Sequence, residues 1–276
     1  MLSGSLTLKS STAAKFANLE NLLQEMGTCV VAFSGGIDST LLSLVAHKIL
    51  GDRALIIFAA SPVVPREELE AARRLAGKLK FNYMEIEHNQ LNMPDFVCNN
   101  KDRCYHCKLD LHKQLNAIAV TRGIKWVCEG SNHDDLSDYR PGLKAVAEIG
   151  VRSPLAESFI TKQEIRKLAK EKGLENWAKP ASPCLSSRIP YGTPITLDII
   201  NNIEKGEIFL RSLGMKQVRL RHHGDVARIE VAECDIPFFL DISNRQKSVE
   251  ALKKLGYKYI AIDLQGFRSG SLNEVL

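Results

Sequence analysis

The stretch from Cys29 to His47 limits what this chain can fold into more than any other. The apolar run Cys29-Val30-Val31-Ala32-Phe33 reads as a buried strand. After Ser34-Gly35-Gly36-Ile37-Asp38-Ser39, the residues Leu41, Leu42, Leu44, Val45, Ile49 and Leu50 recur at helical spacing. Strand, glycine turn and helix in that order make a place for an anion. A helix start presents unpaired backbone N–H groups and the positive end of the helix dipole, and Gly35 and Gly36 let a ligand approach the backbone closely.

The turn is shorter than a GxxxxGKS/T loop, and no Lys follows its glycines. SGGxDS after an apolar strand resembles the PP-loop of ATP pyrophosphatases, which cleave ATP between its α and β phosphates and pass an adenylyl group to the substrate. The resemblance implies that Ser34, Gly35, Gly36 and Ser39 hold pyrophosphate and that Asp38 helps to organise Mg²⁺. The plainer alternative is an ordinary βα turn with a capped helix start.

The rest of the chain repeats the strand–helix rhythm. Phe16 to Met26 carries one apolar helical face and ends at Gly27; Ala54 to Ala60 is a second buried strand, followed by a helix from about Arg66 to Leu79. Short strands at Asn82–Ile86 and Trp126–Glu129 flank a polar stretch, Asn99 to Lys108, and a helix from about Leu109 to Arg122. The alternation predicts an α/β fold with a doubly wound, mostly parallel sheet covered on both faces. Ligands of such sheets lie over the carboxyl ends of the strands, which places Phe58 to Ser61 on the adenine side. Gly130-Ser131-Asn132-His133-Asp134-Asp135 leaves a strand end and runs on to Asp138-Tyr139-Arg140-Pro141-Gly142. It resembles the second nucleotide-contacting segment of PP-loop enzymes, with Gly130, Ser131, Asn132 and Asp135 as the contacting positions.

Thr161 to Lys172 opens with a capping box, and Trp177 to Gly192, rich in Pro and Ser, predicts a long functional loop. From about Ile195 the pattern changes to an amphipathic helix (Leu197–Leu213), two half-buried strands around Val218–Leu220 and Ala227–Val231, a helix near Arg245–Leu255 and a strand at Tyr259–Leu264. These make a smaller C-terminal α+β domain. The expected division is 1–192 and 193–276.

With 276 residues, 45% of them hydrophobic and 25% charged, the chain is long enough for such a pair of domains. Its net charge of +5 suits anionic ligands and falls short of a nucleic-acid footprint. No apolar run approaches the ~18 residues that span a bilayer, and the N-terminus lacks a signal-peptide core, so a cytoplasmic enzyme without a membrane partner is expected.

Seven cysteines, without a secretory signal, point to thiols, metal ligands or catalysis. Cys29 and Cys128 lie within apolar strands and read as core residues. Cys104-x-x-Cys107 brings two thiolates to one centre, and Cys184 on the long loop is a candidate third. Zinc, with His106 or His112 as the fourth ligand, or an iron–sulfur cluster with one open iron is compatible with that set; a redox pair is a third option that lacks the thioredoxin-like βαβ context. Lys179 and Arg188 flank Cys184 in sequence and would favour its thiolate.

SGGIDS, RCYHCK, GSNHDDLSDYRPG, SPCLSSRIPYG, VRLRHHGDVARIEV and DLQGFRSGSLNE together resemble the LarE family, ATP-dependent sulfur transferases that make a nickel-pincer nucleotide cofactor. The resemblance runs from about residue 16 to 274. It implies a small-molecule substrate, a pyridinium mononucleotide with two carboxylates, which ATP adenylates and which sulfur then converts to thiocarboxylates. It also implies a sulfur donor and a homo-oligomer. Cys184 matches the cysteine that some members sacrifice. The additional Cys104 and Cys107 match members with three cysteines, which implies a 4Fe–4S cluster on Cys104, Cys107 and Cys184. Arg188, Arg219, Arg221 and Arg268 match positions that hold the substrate's anionic groups, and Glu207 and Glu230 an acidic cluster. A tRNA-thiolating enzyme is the chief rival, but no RNA-binding domain precedes the PP-loop and tRNA is not expected as a partner. An amide-forming ligase and a nucleotide- or metal-sensing module are the others.

Overall fold

The computed structural model describes residues 11–137, 141–180, 182–268 and 270–275. The chain divides into two compact units. One comprises the residues up to Ala60 with 66–88 and 104–182; the other comprises 61–65, 89–103 and 183–276. The loop 183–192, grouped with the first domain by the sequence pattern, therefore falls in the second unit, together with two short segments from much earlier in the chain.

In chain order the first unit contains α1 (Thr12–Met26), β1 (Cys29–Phe33), α2 (Ile37–Leu50), β2 (Ala54–Ala60), α3 (Arg66–Leu79) and β3 (Tyr83–Glu87). A short helix of the second unit, α4 (Pro94–Val97), intervenes. The first unit then continues with α5 (Arg103–Thr121), β4 (Trp126–Cys128), α6 (Pro141–Glu148), α7 (Pro154–Glu157) and α8 (Lys162–Glu171). Its sheet is parallel, in the order β3-β2-β1-β4. Alternate residues of each strand face opposite sides, and both sides are apolar. Val31, Phe33, Ile56 and Phe58 pack with α1, α2, α3 and α8, whereas Val30, Leu55, Ile57 and Val127 pack with Leu115 and Ala119 of α5. β1 is flanked by β2 on one side and β4 on the other, which makes the gap between the carboxyl ends of β1 and β4 the place where the winding reverses.

Two elements differ from the sequence pattern. α5 begins at Arg103, so Cys104 lies in the first turn of a helix and Cys107 at the start of its second, and not in an irregular segment before it. Phe58 is buried in the core edge-to-face with Phe33, leaving the half-buried Ala59 and Ala60 as the strand end.

The second unit has α9 (Leu197–Ser212), an antiparallel pair β5 (Val218–His223) and β6 (Val226–Val231), α10 (Ile242–Lys254), and β7 (Tyr259–Ile262) parallel to β6. One face of its sheet, with Val218, Leu220, Ala227, Ile229 and Val231, forms the core with α9 and α10. Gly206 lets α9 come close: a Cβ there would meet Leu220 Cδ2 at 2.3 Å. The opposite face is charged, with Arg219 and Arg221 of β5 beside Arg228 and Glu230 of β6. Within the loop expected to be irregular, Leu185–Arg188 forms a 3-10 turn, anchored by a Leu185 N–H bond to Val63 O at 2.7 Å.

Candidate active site

In the first unit, the PP-loop joins β1 to α2 at the carboxyl edge of the sheet. Gly35 takes a φ of +73°, and a Cβ there would lie 2.9 Å from Ala72 Cβ, so both conformation and space demand glycine. Ser34 N–H donates to Ser39 Oγ at 3.1 Å, and the two hydroxyls are 3.0 Å apart, which ties the loop to the first turn of α2. Gly130 at the end of β4 packs directly on that turn. A Cβ at 130 would come within 2.9 Å of Ser39 N. The two glycine loops expected to share a nucleotide are therefore in backbone contact.

Asp38 is the meeting point. Asn132 Nδ2 donates to its Oδ1 at 3.4 Å, and Lys162 Nζ forms an ion pair with its Oδ2. Asp135 Oδ2 accepts from Asn132 N–H at 3.0 Å, and Asn176 Nδ2 donates to Gly35 O at 3.1 Å and Thr40 Oγ1 at 3.0 Å. Lys162 and Asn176 were not legible as site residues. Lys162 is the first helical residue after a capping Thr161, a position that sequence alone assigns to helix initiation. Of the segment after Asp135, Asp138, Tyr139 and Arg140 lie outside the described residues.

Behind the second loop, the buried Glu129 accepts from Ser131 N–H at 3.0 Å, Ser153 Oγ at 2.8 Å and Lys108 Nζ at 2.8 Å. Burial opposes its ionisation. The Lys108 charge and these hydrogen bonds outweigh that and hold its pKa down at about 2.

The second unit carries a pocket of about 220 Å³ lined by Arg188, Arg221, Arg228, Arg268, His223 and Tyr191, among others. Two buried carboxylates hold three of its arginines in place, and Glu274 holds the fourth, Arg268. Glu207 receives Arg188 Nε at 2.8 Å and Nη2 at 3.2 Å, and also Leu220 N–H at 3.1 Å. Glu230, with no exposure, receives Arg221 Nη2 at 2.7 Å and Arg228 Nη2 at 3.0 Å. These glutamates thus sit beneath the pocket as anchors of guanidinium groups. Burial works against the charge of Glu207, and the adjacent Arg188 overcomes it and keeps the carboxyl below its usual range. Arg219 stands apart from the pocket, with its guanidinium over the Phe267 ring at 5.2 Å. Burial and the neighbouring Arg188 bring its pKa down to about 10.

Cys184 is half-buried at the start of the 3-10 turn, and its carbonyl, with that of Pro183, accepts from Arg188 Nη1 at 3.0 Å and 2.7 Å. Arg221 Nη1 donates to Ser187 O at 2.7 Å, so two arginines fix this loop. Lys179, expected as a basic neighbour of Cys184, ion-pairs instead with Glu68 at 2.5 Å. Cys104 is exposed and Cys107 half-buried, one helical turn apart, and neither is in a disulfide. His112 is fully buried on α5, five residues after Cys107, whereas Cys104 is exposed. Among the described residues, no group of three or more His, Cys, Asp or Glu is placed to hold a metal ion. No helix among them is long and apolar enough to cross a membrane.

A parallel sheet whose central strand delivers an SGGxDS turn to a helix, beside a second glycine loop converging on its Asp, defines an enzyme of the ATP-pyrophosphatase, PP-loop type. Residues 12–119 match the NAD synthase family. The chain is 41% identical to the pyridinium-3,5-bisthiocarboxylic acid mononucleotide synthase of Lactiplantibacillus plantarum, over 97% of this chain and 96% of that protein. It is 41% identical to an uncharacterized protein of Synechocystis, over 95% of this chain and 98% of the relative, and 30% identical to one of Methanocaldococcus jannaschii, over 95% and 96%. The chain belongs to the LarE family, that of the Lactiplantibacillus synthase.

Proposed function

We propose that this chain is an ATP-dependent sulfur transferase that converts the carboxylates of pyridinium-3,5-biscarboxylic acid mononucleotide to thiocarboxylates. The observation that carries this reading is the 41% identity to the Lactiplantibacillus synthase across nearly the whole of both chains. A carboxylate is a poor electrophile at neutral pH. Attack of its oxygen on the α-phosphorus of ATP releases pyrophosphate and leaves an acyl adenylate; a sulfur nucleophile then adds to the carbonyl carbon and AMP departs.

In this reading the first unit activates. Ser34, Gly35, Gly36 and Ser39 cradle the departing pyrophosphate with Gly130, Ser131, Asn132 and Asp135 beside them, and Lys162 adds positive charge. The half-buried Asp38 carboxylate suits a hard cation and would hold Mg²⁺, which supplies further neutralisation of the phosphates. The second unit holds the substrate, with Arg188, Arg221 and Arg268 of the pocket and Arg219 on the same sheet face for its phosphate and carboxylates, Glu207 keeping Arg188 and Glu230 keeping Arg221 in position.

Cys184 belongs to the sulfur-delivering half. The donor chemistry of Cys104, Cys107 and Cys184, three thiols outside disulfides, fits a 4Fe–4S cluster with one open iron, which when bound would supply sulfur for transfer. We further propose a homo-oligomer working in the cytoplasm with an external sulfur donor.

Pyrophosphate release measured with the pyridinium mononucleotide, with ammonia and with tRNA tests the reaction. Release only with the first is expected, and release independent of it would overturn the reading. Iron and sulfide analysis after anaerobic purification tests the cluster. A colourless protein that stops after one turnover and loses the elements of H₂S at Cys184 would replace the cluster with sacrificial transfer.

A further inference from the structure

Lys108 and Glu129 take no part in the assignments above, yet they join two parts of the first unit. Lys108 lies on the helix turn of the thiol pair, next to Cys107 and four residues after Cys104. Its Nζ reaches Glu129 Oε2 at 2.8 Å. Glu129 is only 4% exposed and directly precedes the Gly130-Ser131-Asn132 loop. Its other oxygen accepts from Ser131 N–H at 3.0 Å and from Ser153 Oγ at 2.8 Å.

The stem of Lys108 is confined as well. Gly142 of α6 packs against it so closely that a Cβ at 142 would lie 3.0 Å from Lys108 Cγ and 3.6 Å from the Cys104 carbonyl oxygen. A long exposed lysine ordinarily spends its side-chain entropy freely. Here the chain is held from the side, and its head is tied to a carboxylate that burial would make costly without a partner.

We propose that Lys108 and Glu129 are positioning residues that set the start of the Cys104–Cys107 helix against the nucleotide loop, so that nucleotide binding changes the reactivity of the two thiols. A nucleotide that engages the Ser131–Asn132 segment shifts a backbone N–H bonded to Glu129. Glu129 passes that displacement through one hydrogen bond to Lys108, and Lys108 adjoins Cys107 and stands one turn after Cys104. The inference rests on the ATP reading of the PP-loop.

The test is alkylation of the full chain, thiols reduced, by iodoacetamide. Rates at Cys104 and Cys107 are read separately by peptide mass spectrometry, with and without saturating α,β-methylene-ATP and Mg²⁺. Binding of that nucleotide is measured independently by calorimetry. In the native chain the nucleotide should change the rate at one or both cysteines by about fivefold or more, the lower end of ordinary coupling between sites. Lys108→Met and Glu129→Gln should bind the nucleotide and show rates that no longer depend on it, and Lys108→Arg should restore the dependence. Lys108 is half-exposed, so its replacement tests the link even where Glu129→Gln disturbs folding. Nucleotide binding with unchanged thiol rates in the native chain, or dependence that survives Lys108→Met, overturns the proposal alone. A native chain that binds no nucleotide overturns the ATP reading and this proposal with it.

Discussion

Arg188 and Glu207 face each other as an ion pair almost sealed from water, Nε to Oε1 at 2.8 Å and Nη2 to Oε2 at 3.2 Å, with side chains 1% and 2% exposed. The remaining nitrogen of Arg188 holds the turn by the carbonyls of Pro183 and Cys184, so the pair also fixes the backbone that carries that thiol. Glu207→Leu leaves a buried cation without its main counter-charge and should cost about 3–5 kcal/mol. Arg188→Met with Glu207→Leu should cost less than either single change. Urea midpoints of the two single variants and the double variant check this; additive losses would contradict it.

Gly35→Ala and Gly130→Ala place a Cβ 2.9 Å from Ala72 Cβ and from Ser39 N respectively. Both should abolish measurable ATP binding. Gly35→Ala should also lower the melting temperature, because φ at 35 is +73°. Gly77→Ala, with open space around its Cβ position, is the control and should leave binding unchanged. Calorimetric titration with ATP reads all three.

Lys162 is the charge that meets Asp38 at the PP-loop. Lys162→Met should lower kcat/KM for pyrophosphate release by about 10²-fold or more, the usual loss for one transition-state donor. Lys162→Arg should recover part of it. Since Lys162 also opens α8, circular dichroism should verify that the helix persists.

Acid should weaken the first unit in two stages. His112 is held neutral by burial and by the Lys108 charge, with its pKa lowered from 6.5 to about 4, so the unfolded chain takes up that proton first and stability falls as pH drops from 6.5 to 4. Glu129, lowered from 4.5 to about 2, contributes stability that is complete above 4.5 and is lost as pH falls towards 2. His112→Phe should flatten the first stage only, and Glu129→Gln the second. Urea midpoints across pH 7 to 2.5 provide the measurement.

Lys80 occupies a left-handed conformation, φ +52°, where α3 ends and Phe81 N–H returns to Ala76 O at 3.4 Å. Lys80→Gly should stabilise the chain by about 1 kcal/mol, read as a higher melting temperature.

β1, β2, α2 and α3 were legible because the strands are near-continuous apolar runs and the helices carry their own period, signals that need only local sequence, whereas α6 and α7 were not read. Ser34, Gly35, Gly36 and Asp38 stood out as one local motif, an SGGxDS turn between a strand and a helix. What escaped depends on contacts far apart in the chain. Lys162 lies 124 residues from Asp38 and Asn176 lies 141 from Gly35, and neither sits in a distinctive local pattern. Glu207 and Glu230 stood out only through the resemblance, as positions of an acidic cluster. Only packing reveals that both are buried under the guanidiniums they hold. The helical start at Arg103 escaped because polar and charged residues in its first turn erase the apolar period there.

The second unit is assembled from strips of chain at 61–65 and 89–103 that are synthesised long before residues 183–276. Val63 O waits for Leu185 N–H, and Val97 O for Ile195 N–H. On the ribosome, the first unit can complete its sheet while these strips remain unfinished edges. A fragment ended at 192 would keep Leu185 for Val63 but lack Ile195 for Val97 and the strands and helices that complete the unit. Biosynthesis therefore makes the arginine-lined pocket the last feature to appear, after the loop that receives ATP.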